Sequence, residues 1–254
     1  MRQRTQFQRM RQGNRVVQAN SASAGVVIVA AGRGTRMGTK ESKQYLMLQD
    51  KPIVIHTLEV FDRHPLITEI VLVTGEQDVE RARAWIDEYG ITTSIKVIPG
   101  GAERQHSVYQ GLLQMSSAWV LVHDGVRPFV TEEQVTACYE AARAHGACVL
   151  AVPVKDTVKQ VDEQGWVTAT PDRRSLWAIQ TPQAFRRCDL LQAHEQAARD
   201  GFVGTDDSML VERAGLSVCV VEGAYSNIKI TTPDDLDYAE FVRAQKEARG
   251  RGNG

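Results

Sequence analysis

The sequence predicts an α/β fold: a mostly parallel sheet with helices on both faces and an inserted β-hairpin arm. Three observations predict it. Short β-branched runs alternate with longer amphipathic ones along most of the chain. The strand-like runs are almost wholly apolar, as strands covered on both faces must be. Between Lys155 and Gln183 the rhythm breaks into period two.

"GVVIVAAG" (25–32) reads as a buried strand, and "IVIHTLEVFDRH" (53–64) as a helix with Ile53, His56, Thr57, Val60 and Phe61 on one face. "EIVLVTG" (69–75) is a second strand, followed by a helix, "QDVERARAWIDEYG", ended by Gly90. "SIKVIPGG" (94–101), the helix "RQHSVYQGLLQM" and the strand "AWVLVHDGVRP" (118–128) continue the alternation. "TEEQVTACYEAARAHG" starts on a capping Thr131, has acids in its first turn and ends at Gly146; "ACVLAVPV" (147–154) is a fifth strand. "TVKQV" and "WVTAT" flank a turn at "DEQG", which makes a hairpin arm over about 154–182. A lone hairpin is marginal in water, so this one packs on something, and a second copy of the chain is the natural candidate. The helix "DLLQAHEQAARDG", the strand "GLSVCVVEG" (215–223) and a C-terminal helix from Thr232 and Pro233 complete one domain over 24–244.

Residues 1–23 carry Arg2, Arg4, Arg9, Arg11 and Arg15 and no acid. They read as a disordered basic extension, with a transit peptide as the alternative; 245–254 read as a disordered tail. Net charge is -1, so the chain has no global signature of nucleic-acid or membrane binding. No apolar run approaches the ~20 residues of a membrane span. The four cysteines lack CxxC spacing and read as small buried hydrophobes of a reducing cytoplasm.

In open α/β sheets ligands sit outside the carboxyl ends of the strands. "AAGRGTRMG" occupies that place after the first strand. Its spacing matches neither GxGxxG nor GxxxxGK[ST], and a glycine turn there also has a purely structural reading. Arg36 and Lys43 flank it, however, and two cations around bare backbone suit a polyphosphate. Asp124 ends the fourth strand at the same edge; it either holds Mg²⁺ or caps a turn. Arg127 either reaches a second anion or is solvated. Lys229 lies in a short strand between Ile228 and Ile230, either inward beside an anion or outward as an edge guard. Thr205 and Asp206 open a helix whose start binds phosphate or is merely capped. No Ser-His-Asp or Cys-His arrangement is evident, and His123 reads as structural.

"VAAGRGTRMG…KQYL", "PGGAERQHSVYQGL", "VHDGVRPF", "PVKDTVK", "DRRSLWAIQTPQAF", "TDDSML" and "EGAYSNIKITTPDDL" occur in this order. Together, over about 25–242, they resemble the 2-C-methyl-D-erythritol 4-phosphate cytidylyltransferase family. The resemblance implies a Rossmann-like, nucleotidyltransferase-type sheet, a homodimer with interlocked arms, and transfer of CMP from CTP to a sugar-alcohol phosphate. It implies that the backbone of Ala30, Ala31, Gly32 and Gly34 wraps the triphosphate, with Arg36 and Lys43 on its phosphates and the cytosine against Gly101, Ala102 and Ser107. It also implies that Asp124 faces Mg²⁺ or another divalent cation and the ribose side, supported by Arg127. Thr205 and Lys229 line the sugar-phosphate pocket, and Arg173 and Thr157 arrive from the partner subunit. Arg36, Lys43 and Lys229 are then the catalytic cations. Two residues depart from the family pattern: Ala102, where an Asp is common, and Ser226, where some relatives carry an acid. Ribitol-5-phosphate cytidylyltransferase is the nearest alternative; the run Ala30-Ala31-Gly32 and the arm's "DRRSLWAIQTPQ" lean away from it. A non-catalytic nucleotide-binding module is opposed by the converging Arg36, Lys43, Asp124 and Lys229.

Overall fold

The computed structural model describes residues 23–32, Gly38 and 41–251. The basic extension through residue 22, Gly34, Arg36 and the last three residues lie outside the described residues. In chain order the strands and helices are β1 (Ala24–Ala30), β2 (Met47–Leu48), β3 (Lys51–Pro52), α1 (Ile53–Asp62), β4 (Ile67–Thr74) and α2 (Val79–Glu88). Next come β5 (Ser94–Pro99), α3 (Arg104–Leu113), β6 (Trp119–Asp124), α4 (Glu132–His145) and β7 (Ala147–Pro153). The chain continues through β8 (Gln160–Val161), β9 (Val167–Ala169), β10 (Trp177–Arg186), α5 (Arg187–Arg199), α6 (Asp207–Arg213), β11 (Cys219–Glu222) and α7 (Pro233–Arg251).

Seven strands form the central sheet in the order β11-β7-β10-β6-β1-β4-β5. β10 runs antiparallel to both of its neighbours, and the other pairings are parallel. Alternation along the strands splits the core into two layers, because successive side chains point to opposite faces. Val26 and Ile28 of β1 pack with Leu58 and Phe61 of α1 and with Cys138 and Tyr139 of α4. Val27 faces the other way, toward Val108 and Leu112 of α3 and Leu190 of α5. Gly111 of α3 lets that helix settle on β1, since a Cβ there would lie 2.5 Å from Val27 Cγ1. A third cluster of Leu48, Ile53, Val126, Phe129, Ile230 and Ala239 ties α7 to the carboxyl edge of the sheet.

Local chemistry marks the helix ends as the sequence predicts. Thr131 accepts from the Gln134 N–H while the Gln134 side chain accepts from the Thr131 N–H, a reciprocal capping box. Gly146 closes α4 at φ +101°. At α7, Thr232 N–H donates to Asp235 Oδ2 at 2.9 Å and Asp235 N–H to Thr232 Oγ1 at 3.3 Å.

Several expectations need correction. The predicted arm reached residue 182, but the hairpin proper is β8 with β9, and Trp177–Arg186 is a central strand of the sheet. Its second half reads as polar, "QTPQAF", because Gln180, Thr181 and Gln183 are buried polar groups satisfied by side-chain hydrogen bonds. Lys229 lies in an irregular segment rather than a strand. The helix that Thr205 and Asp206 open, α6, is capped by Asp206, which accepts from Met209 N–H at 3.0 Å. Cys188 is exposed, unlike Cys138 and Cys148. The segment expected to be a disordered tail from 245 is helical through Arg251.

Candidate active site

The carboxyl edge of the sheet carries two cavities of about 270 and 600 Å³. The first is bounded by Ala30, Ala31 and Gly32 after β1, by Lys43 and Gln44, and by Gly101, Ala102 and Ser107 at the start of α3. Gln44 donates to the Ala30 carbonyl at 2.6 Å and fixes the strand end. Ser107 Oγ accepts from Gly101 N–H at 3.1 Å and donates to the Glu103 carbonyl at 3.2 Å, which shapes the turn before α3. Gly100 is required there: a Cβ would lie 2.6 Å from both Ala31 Cβ and Ser107 Oγ. The second cavity is lined by Arg127, Gln180, Thr181, Gln183, Thr205, Asp206 and Met209, among others. Arg104, Asp124 and Lys229 line both cavities.

Asp124 is the anion of that shared wall. Its Oδ2 lies 2.9 Å from Lys229 Nζ and 3.5 Å from Arg127 Nε, and its Oδ1 accepts from Arg104 Nε at 3.2 Å. Burial by itself disfavours the carboxylate, but Arg104, Lys229 and Arg127 outweigh it and hold Asp124 well below the usual range. Lys229 therefore points inward. Arg127 is not solvated: its Nη1 donates to the Asn227 carbonyl at 2.7 Å, and burial pushes its pKa down. Arg104 was not singled out by the sequence reading, since a lone Arg after "GGAE" has no distinguishing spacing.

His123 sits beneath this wall. Its Nε2 faces the Arg127 carbonyl at 3.1 Å; a carbonyl only accepts, so Nε2 carries the proton and Nδ1 accepts from Thr181 Oγ1 at 3.1 Å. Burial pushes its pKa from 6.5 to about 4. The unfolded ring takes up a proton in that window and the folded ring does not. Its stabilisation is complete above pH 6.5, is lost as pH falls toward about 4, and totals about 3 kcal/mol. Urea midpoints measured from pH 7 to pH 4 are expected to fall less steeply in His123→Gln than in the native chain. Parallel curves would remove His123 as the source.

The donor set does not suit a metal held by the protein alone. Both Asp124 oxygens already face cations, which repel a second positive charge. Among the described residues no group of three or more His, Cys, Asp or Glu is placed to hold a metal ion. Ser226 adds no acid near Lys229.

The structure thus gathers Ala30, Ala31, Gly32, Lys43, Gly101, Ala102, Ser107, Asp124, Arg127, Thr205 and Lys229 around two adjoining cavities. Among the described residues, Thr157 and Arg173 line neither. Both are exposed on the arm, where Arg173 Nη1 donates to the Lys155 carbonyl at 2.9 Å. The arm and the adjoining sheet edge also expose Val161, Trp166, Val167, Ile179 and Val220.

Residues 24–245 match the family described as IspD: 2-C-methyl-D-erythritol 4-phosphate cytidylyltransferase. The enzyme of that name from Bacillus velezensis is 51% identical over 219 residues, which cover 85% of this chain and 94% of the relative. That from Alkaliphilus metalliredigens is 48% identical over 225 residues, 87% of this chain and 93% of the relative. The crystal structure of 4-diphosphocytidyl-2C-methyl-D-erythritol synthase from Anaerococcus prevotii superposes with a TM-score of 0.79 at 34% identity, covering 89% of this chain and all of that one. The match over 24–245, the identity to these relatives and the sheet shared with the Anaerococcus prevotii structure show that the chain belongs to the 2-C-methyl-D-erythritol 4-phosphate cytidylyltransferase family.

Proposed function

We propose that this chain transfers CMP from CTP to 2-C-methyl-D-erythritol 4-phosphate, releasing pyrophosphate. The observation that carries the reading is the wall of Arg104, Asp124 and Lys229 between two cavities, where two phosphates can meet. The nucleophile is a phosphate monoester whose second pKa is about 6, so it is dianionic near neutral pH and needs no general base. His123 is accordingly neutral, buried and fully engaged.

The difficulty is electrostatic, because one anion must approach another. Ala30, Ala31 and Gly32 present backbone N–H groups to the triphosphate and Lys43 neutralises it; Gly34 and Arg36, which lie outside the described residues, are assigned to the same phosphates from the sequence alone. The turn at Gly101, Ala102 and Ser107 takes the cytosine. Arg127, Thr205 and Lys229 face the sugar phosphate, and Asp124, on the ribose side, holds Arg127 and Lys229 in place through its ion pairs. A divalent cation, if bound, would be held mainly by the substrate phosphates, with Asp124 as the nearby carboxylate, and would add positive charge at the triphosphate. The hairpin arm, with its exposed apolar side chains, packs on a second copy and supplies Thr157 and Arg173 to the partner's second cavity. Four free thiols suit a reducing cytoplasm. No helix among the described residues is long and apolar enough to cross a membrane. A formal net charge of -1 offers nothing general to nucleic acid.

The test is pyrophosphate release from CTP with either 2-C-methyl-D-erythritol 4-phosphate or ribitol 5-phosphate, each with and without Mg²⁺. Release with the methylerythritol substrate, at least about tenfold faster than with ribitol phosphate and dependent on Mg²⁺, is the expected result. Faster release with ribitol phosphate would overturn the substrate assignment, and none with either would overturn the transferase reading.

A further inference from the structure

Arg104 opens α3 and is forked between two carboxylates. Its Nε donates to Asp124 Oδ1 at 3.2 Å and its Nη1 to Asp207 Oδ2 at 2.7 Å. Nη2 has no partner among the described residues, and the side chain lines both cavities. Asp207 lines neither, and its side chain is only 1% exposed. Behind it stands His194 of α5, with Nε2 3.4 Å from Asp207 Oδ1 and a ring stacked on Tyr109 at 6.0 Å between centroids.

A buried carboxylate is costly unless it is well paired, and an ion pair alone is weak grounds for keeping one. What the pair does here is geometric. A guanidinium bonded at two edges of its plane has a fixed orientation, which a single partner would not impose. Without Asp207, Arg104 would be held only by Asp124, whose oxygens also face Lys229 and Arg127. With it, Arg104 is drawn toward α6 and its third nitrogen remains for a ligand at the junction of the cavities. Arg104 stays charged because the two carboxylates outweigh the penalty of its burial.

We infer that Arg104 is a further cation of the transfer step, contacting the phosphate at the junction, and that Asp207, backed by His194, is the positioning group that aims it. The inference rests on the transferase reading. In the step, an oxygen of the sugar phosphate forms a bond to the α-phosphorus. The bond from that phosphorus to the bridging oxygen breaks, and its electron pair leaves with pyrophosphate. Arg104 keeps its protons throughout, opposing the charge that builds on the nonbridging oxygens.

A double-mutant cycle in the full-length enzyme tests this, with kcat, KM for CTP and melting temperature read for each variant. Arg104→Gln is expected to lower kcat about a hundredfold. Asp207→Asn alone is expected to lower it about tenfold or more, with KM for CTP unchanged. The double variant is expected to be no slower than Arg104→Gln, because a group that acts only through Arg104 has nothing left to aim. A structural role for Asp207 predicts multiplied losses instead, and that outcome overturns the inference. If Asp207→Asn does not fold, His194→Gln takes its place in the cycle. An active native enzyme with unimpaired, folded Arg104→Gln sinks the inference alone; an inactive native enzyme sinks the transferase reading and the inference with it.

Discussion

Alanine at Lys43 or at Lys229 is expected to lower kcat/KM about a hundredfold or more while the protein stays folded. Lys229 Nζ lies 2.9 Å from Asp124 and on the wall common to both cavities, so its charge stands where two phosphates would meet. Removing it does not strand Asp124, which keeps Arg104 and Arg127. The loss should therefore fall on turnover rather than on the melting temperature. Lys43 lines the first cavity, as does the turn at Gly101. Its removal leaves the backbone cradle of Ala30 to Gly32 in place, so nucleotide is still bound but less charge is neutralised in the transition state. Steady-state kinetics beside thermal melts check both. Near-native turnover in either variant would discard the neutralising role of that lysine, and Arg36→Ala belongs to the same series.

Arg173→Ala is expected to act on the neighbouring subunit. Arg173 is exposed and bonded to the root of its own arm. The hairpin of β8 and β9 that precedes it in the arm is exposed along both strands, with Trp166 at 74% exposure at its turn. An arm of this kind gains burial only from another molecule. By itself Arg173→Ala should cost about a hundredfold in turnover if it positions the sugar phosphate. Mixed with Lys43→Ala subunits, it should recover activity, since each heterodimer then contains one site with an intact lysine and an intact arm. Verified heterodimers that stay inactive would refute the shared site.

Much of the site was legible before folding, because its chemistry depends on local backbone. A strand ending in Ala30-Ala31-Gly32, and an apolar strand ending in Asp124, place polar groups at one edge of the sheet by chain direction alone. Residues whose role depends on a distant partner were not legible. Arg104 looks like any helix-opening arginine until Asp124 and Asp207, 20 and 103 positions away, close on it. His194 carries no local signal at all. The period-two alternation, run on to residue 182, draws Gln180 and Thr181 into the arm, whereas Asn227 and His123 satisfy them, as Asp206 does Gln183, inside the sheet.

The amino-acid order by itself determined the alternating layers, the caps at Thr131 and Thr232, and the small residues Ala30 to Gly32 at the end of β1, since periodicity and capping act over a few residues. Only the tertiary structure decided that β10 lies between β6 and β7 and that Lys229 points inward. It also decided that one aspartate holds its surrounding cations in place. Those outcomes depend on burial and on charge at a few ångströms, which chain neighbours do not set.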